Sequence, residues 1–103
     1  MSKNYHKALP RKWAGLGLVF TALGDEHRQR ILLMFDRGEE LTIKDIADAS
    51  PLSRTAITYH IRVLREAGVL RAEKRSKEVF LRPEPLVVLR ALEAVREYVQ
   101  REL

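Results

Sequence analysis

Two stretches of helical period meet at Ser50-Pro51-Leu52-Ser53, a tetrapeptide that no continuous helix crosses. Pro51 has no amide hydrogen to donate and drives Ser50 towards extended geometry. Before the break, Thr42 and Asp45 have the spacing of a capping box, in which the hydroxyl and the following acid satisfy free amides of a first turn. Ile43, Ile46 and Ala47 give that short helix its buried face. After the break, Ser53 is an N-cap for a helix predicted over 54–67, with Ile57, Ile61 and Leu64 inward and Gly68 as C-cap. Two short helices joined by a tight turn are the result.

The flanking segments complete the pattern. Residues 1–10 are polar and aperiodic and read as a tail. A helix is predicted over 11–23, because Leu16, Val19, Phe20 and Leu23 fall on one face, and Gly24 ends it as a left-handed cap. Asp25 then caps a helix carrying Ile31, Leu32 and Phe35 that stops at Arg37-Gly38. Beyond Gly68 the period shortens to two, so residues 69–74 and 79–82 form a hairpin around a basic tip at 75–78. Pro83 and Pro85 break the second strand, and a last helix over 86–103 aligns Val88, Leu92, Val95, Val99 and Leu103. The expected fold is mostly α with a small β-hairpin: a single winged helix-turn-helix domain over 11–103, with about five helices and a two-stranded wing. Within it, 42–67 form the helix-turn-helix and 69–82 the wing, while the terminal helices 11–23 and 86–103 serve dimerisation.

Composition removes several function classes. The 103 residues include no Cys, which excludes disulfides, thiol nucleophiles and thiolate metal sites and suggests a cytoplasmic setting. The apolar run at Leu16–Leu23 is far shorter than the ~20 residues that span a bilayer, so neither a membrane segment nor a signal peptide is expected. Acid–base residues do not cluster around a nucleophile, and an enzyme is not expected. Asp25-x-His27 reads as a cap, and His60 as a packing or hydrogen-bonding group rather than a ligand.

Charge points to the partner. Between Ser53 and Arg82 stand eight basic residues against three acids, which accounts for the whole net charge of +5. On the helix over 54–67, the face opposite the apolar one carries Arg54, Thr55, Thr58, Tyr59 and Arg62, beside the cap Ser53. Arg grips the O6 and N7 of guanine as a fork and a Thr methyl meets a thymine methyl, so this face suits base reading. Lys74, Arg75 and Lys77 on the hairpin suit phosphates. Double-stranded DNA is the expected partner, with a second copy joined through Leu16, Val19, Phe20, Leu23, Val88, Leu92, Val95 and Val99. The alternative is a winged-helix module that binds another protein.

The run from Leu52 to Leu70 (LSRTAITYHIRVLREAGVL) closely resembles the recognition helix and first wing strand of ArsR/SmtB-type regulators. Residues 22–32 look like the start of that family's second helix, and 41–47 like its third. The resemblance implies a homodimeric repressor that holds an imperfect palindromic operator and releases it when an effector binds. The chain also departs from the family. Thr42 and Lys44 stand where metal sensors carry a Cys-x-Cys pair, residues 84–103 contain no His for the second metal site, and thiol sensing needs Cys. No metal and no cofactor are therefore expected, and the effector is left open.

Overall fold

The computed structural model describes residues 3–103. Met1 and Ser2, the first residues of the expected tail, lie outside the described residues; the remainder of that tail is irregular.

The turn at Pro51 is built as local chemistry dictates. Asp45 N–H donates to Thr42 Oγ1 at 3.0 Å and Thr42 N–H to Asp45 Oδ2 at 2.9 Å, closing the capping box of α3 (Ile43–Ala49). After Ser50-Pro51-Leu52, Ser53 Oγ accepts from Ala56 N–H at 3.1 Å and starts α4 (Arg54–Glu66). Gly68, at φ 78°, ends α4. The amides of Gly68 and Val69 bond back to the carbonyls of Arg65 and Leu64, the paired arrangement of a Schellman cap. The two helices share one core, in which Ile46, Ile57, Ile61 and Leu64 pack with Val69, Leu70 and Leu81 at 2% exposure or less. Each such side chain contributes roughly 1.5–3 kcal/mol by leaving water.

Around this centre lie α1 (Leu16–Leu23), α2 (Glu26–Leu32), β1 (Leu41–Thr42), β2 (Leu70–Arg75), β3 (Glu78–Pro83) and α5 (Pro85–Glu102). The sheet order is β1-β3-β2, antiparallel throughout, with Leu41 opposite Leu81 and Leu70 opposite Pro83. No helix among the described residues is long and apolar enough to cross a membrane.

Several details differ from the sequence reading. The helix expected over 11–23 is two pieces: a 3₁₀ turn at Arg11–Trp13 and α1, divided by Gly15 at φ 76°. Gly24 does end α1, but at φ −83°; a Cβ there would crowd the Phe20 carbonyl at 3.0 Å, so closeness rather than handedness favours glycine. The second helix stops at Leu32 instead of reaching Arg37, because the Met34 and Phe35 amides tighten onto carbonyls three residues back. A third strand, β1, adds to the expected hairpin. The hairpin tip is also tighter than 75–78: Arg75 pairs with Glu78, leaving Ser76, at φ 56°, and Lys77 as the turn. Pro83 remains in β3 as its final residue, and Pro85 opens α5 in the first turn, where an amide would have no partner within the helix.

Candidate nucleic-acid interface

Opposite the buried face of α4, the side chains of Arg54, Thr55, Thr58, Tyr59 and Arg62 are all exposed. Their freedom differs. Thr58 Oγ1 donates to the Arg54 carbonyl at 2.8 Å, so its methyl and acceptor lone pairs are what it offers outward. Tyr59 is half exposed and meets the edge of His60 at 5.4 Å between ring centres. Ser53 is committed to its cap and Arg62 is open.

The wing cations also separate. Among the described residues Lys74 and Lys77 have no ion-pair partner, but Arg75 Nη2 lies 2.7 Å from Glu40 Oε1 and its guanidinium stacks 4.0 Å over the Phe80 ring. Alternation along β2 and β3 turns Arg75 onto the outer sheet face, away from α3 and α4. Three expected wing cations thus become two free ones and one latched.

The sequence reading missed Lys44. A cleft of about 290 Å³ runs between the first turns of α3 and α4 and the wing turn, and it brings Lys44, Arg54 and Lys77 together beside Thr42, Glu78 and Val79. Lys44 Nζ lies 2.6 Å from Asp48, which holds the ammonium charged and raises its pKa. Its early place on α3, facing the start of α4, was the available signal.

Behind α4, Arg28 is the one buried charged residue among the described residues. Its Nε donates to the Ala22 carbonyl at 2.9 Å, Nη2 to the Thr21 carbonyl at 3.0 Å, and Nη1 to His60 Nδ1 at 3.1 Å. One guanidinium thereby closes the end of α1 and ties it to α4. Since Nδ1 accepts, His60 is neutral with its proton on Nε2. Burial pushes the His60 pKa down against the opposing pull of Asp25, and Arg28 lowers it further. Asp25 is a cap as expected, taking the amides of His27 at 2.8 Å and Arg28 at 3.1 Å. These bonds, that from Arg28 first, hold its carboxyl below the usual range.

The expected subunit contacts divide as well. Leu16 and Val19 are buried in the protomer's own core, and Phe20 and Leu23 are half-buried against it. Leu18, on the other side of α1, is 56% exposed instead. On α5, Ala91 faces the core, Val88 and Val95 are half-buried, and Leu89, Leu92 and Val99 are about half exposed or more. A second apolar stripe therefore runs beside the one already packed.

A family model described as a helix-turn-helix domain matches residues 23–73. The arsenical resistance operon repressor of Escherichia coli (strain K12) is 33% identical over 79 residues, covering 77% of this chain and 68% of the repressor. The chain belongs to the ArsR/SmtB family. Its similarity to the arsenic resistance transcriptional regulator ArsR1 of Pseudomonas putida is 36% over 70 residues, covering 68% of the chain and 55% of that regulator, so it spans about half that relative's length. An ArsR-like transcriptional regulator from Rhodococcus sp. RHA1 superposes with a TM-score of 0.76 at 27% identity, covering 85% of this chain and 82% of the other. ArsR/SmtB proteins are winged helix-turn-helix transcriptional regulators, and the architecture here is theirs. The family's metal chemistry does not fit these residues. At the positions of the Cys pair, the Thr42 hydroxyl is held in the capping box and Lys44 presents an ammonium. Among the described residues no group of three or more His, Cys, Asp or Glu side chains is placed to hold a metal.

Proposed function

We propose that the chain is a cytoplasmic, non-enzymatic repressor that binds a palindromic DNA operator as a homodimer. The observation that carries this is α4: one face locked in the core by Ile57, Ile61 and Leu64, the other presenting Arg54, Thr55, Thr58, Tyr59 and Arg62 to solvent. Arg54, Thr55, Thr58 and Tyr59 read base edges in the major groove. Arg62, Lys74 and Lys77 hold phosphates, joined by Lys44 and by Arg75 once Glu40 lets go. The stripe of Leu89, Leu92 and Val99, with Val88 and Val95 at its edge, meets its copy across a two-fold axis. That pairing sets two recognition helices on successive major grooves roughly 34–36 Å apart.

The test separates reading from holding. Arg54→Ala should lose roughly 1–3 kcal/mol on the operator and discriminate less between sequences. Lys74→Ala with Lys77→Ala should weaken operator and scrambled duplex alike, and flatten the dependence of log affinity on log salt by about 0.9 per lost phosphate contact. Fragments of the chain's own promoter region are the natural first operators. If Arg54→Ala weakens both duplexes equally while the wing variant loses only operator binding, the roles of helix and wing are reversed. A chain that shifts no duplex at any salt concentration would favour the protein-binding alternative.

A further inference from the structure

A cleft of about 700 Å³ lies away from the α4 face, where the end of α2 and its loop, the last residues of β3 and the first turns of α5 meet. Its walls are apolar: Leu32 and Phe35 from the end of α2 and its loop, Pro83 and Pro85 from the junction of β3 and α5, and Val88 and Leu89 from α5, where the cleft borders the subunit contact proposed above. Four charged residues reach its rim, Asp36, Arg37, Glu39 and Arg82. They are not equally free. Glu39 Oε1 is turned back onto the Asp36 amide at 3.1 Å, and Arg82 keeps a loose contact with Glu84 at 3.8 Å. Arg37 has no hydrogen-bond or ion-pair partner among the described residues. The rim thus carries two cations and two acids above an apolar floor, and among them Arg37 is the cation left without a partner, free to turn to an incoming anion. The volume lies within the ~300–1,000 Å³ typical of small-molecule sites.

The cleft also touches the wing. Its loop wall runs directly into Glu40, which lies 2.7 Å from Arg75, and then into Leu41, which pairs with Leu81 of β3. Any occupant that moves or stiffens residues 36–39 acts on the carboxylate that latches a wing cation.

We propose that this cleft is an effector site for a small apolar carboxylate, whose acid group meets Arg37 and Arg82 and whose occupancy reaches the wing through the Glu40–Arg75 pair. The binding half stands alone; the regulatory half rests on the DNA-binding reading above. Coupling of this kind is reciprocal, so operator DNA and the carboxylate change each other's affinity by the same factor.

Octanoate, octanol and octylamine serve as probes of one chain length and three head groups, added to the free protein while backbone amide chemical shifts are followed. Octanoate should give saturable shifts at Phe35, Arg37, Gly38 and Val88. Arg37→Gln should weaken octanoate about tenfold, equivalent to ~1.4 kcal/mol, and leave octanol unchanged. An unchanged amide spectrum elsewhere shows that this variant folds. Stronger binding of octylamine, equal binding of acid and alcohol, or shifts confined to Leu92 and Val99 would each overturn the site. So would shifts at Phe35, Arg37 and Gly38, away from the proposed subunit contact, that follow protein concentration instead of ligand, which would give the cleft to a second copy.

A second measurement addresses the wing. Octanoate should alter the operator affinity of the unmodified chain but not that of Glu40→Gln, although both bind it. An equal effect on the two would overturn the route through Glu40. Should the unmodified chain bind no operator at all, the DNA-binding reading fails, and the amide shifts still decide whether the cleft takes a carboxylate.

Discussion

Replacing Arg28 by Met is expected to destabilise the domain by about 2–4 kcal/mol, since a buried acceptor left without its donor costs ~1–3 kcal/mol. The Ala22 carbonyl and His60 Nδ1 lose their donor, while the Thr21 carbonyl loses the guanidinium but keeps the Gly24 amide at 3.2 Å. Thr21 is exposed, so water replaces the guanidinium there. Ala22 is fully buried and His60 is half-buried, so those two acceptors carry most of the penalty. Met retains much of the aliphatic stem and removes a charge from the interior, which trims the upper end of the range. For a domain of this size, ~1 kcal/mol moves Tm by roughly 4–8 °C, so the loss is readily measured. Urea unfolding at a fixed protein concentration is the appropriate assay, because association adds to apparent stability. Arg28→Lys should recover less than half of the loss, as one ammonium does not reach three diverging acceptors. The His60 imidazole should also titrate at higher pH in Arg28→Met, because a neighbouring positive charge has gone. A loss below about 1 kcal/mol would mean that the network is ornamental and that packing alone joins α1 to α4.

Glu40→Gln frees Arg75 for phosphate, so log affinity for DNA should fall more steeply with log salt, by about 0.9 per added contact; an unchanged slope would show that Arg75 never reaches the duplex. His60 is held neutral with a depressed pKa, so the unfolded chain binds the extra proton more readily. Its contribution to stability is complete above the ordinary imidazole value of about 6.5 and is lost as pH falls through the lowered one. Urea midpoints from pH 7 to 5 should show that loss, and His60→Gln, which keeps an acceptor for Arg28, should flatten it. Leu92→Glu combined with Val99→Glu should give monomers by sedimentation, with unchanged helical content and greatly reduced operator binding; a dimer in that variant would place the two-fold contact elsewhere.

What the sequence disclosed is what is decided within a few residues. The Thr42–Asp45 box, the Ser53 cap and the Gly68 stop each close over a single turn, and each stands where local chemistry put it. What it hid depends on distant partners. The two residues of β1 carry no pattern of their own and become a strand only because Leu81 and Phe80 arrive beside them. Arg75 reads as a free cation until folding brings Glu40 to it from 35 positions away. Periodicity marked Leu16 and Val19 as apolar-facing, yet a stripe does not say whose surface covers it; the protomer's own core does. Lys44 reads as a lysine opposed to metals, and only the close approach of α3, α4 and the wing turn sets it beside Arg54 and Lys77.

The stripe on α5 bears on how such a chain survives in a cell. A newly made protomer displays Leu89, Leu92, Val99 and Leu103 along one soluble surface, the kind of apolar exposure by which chaperones and proteases sort their clients. Under the two-fold pairing proposed above, copies that meet early hide this surface, while copies that remain alone stay open to removal. Supply of the protein would then follow how often two protomers meet, not synthesis alone, and doubling the message would more than double the surviving pairs.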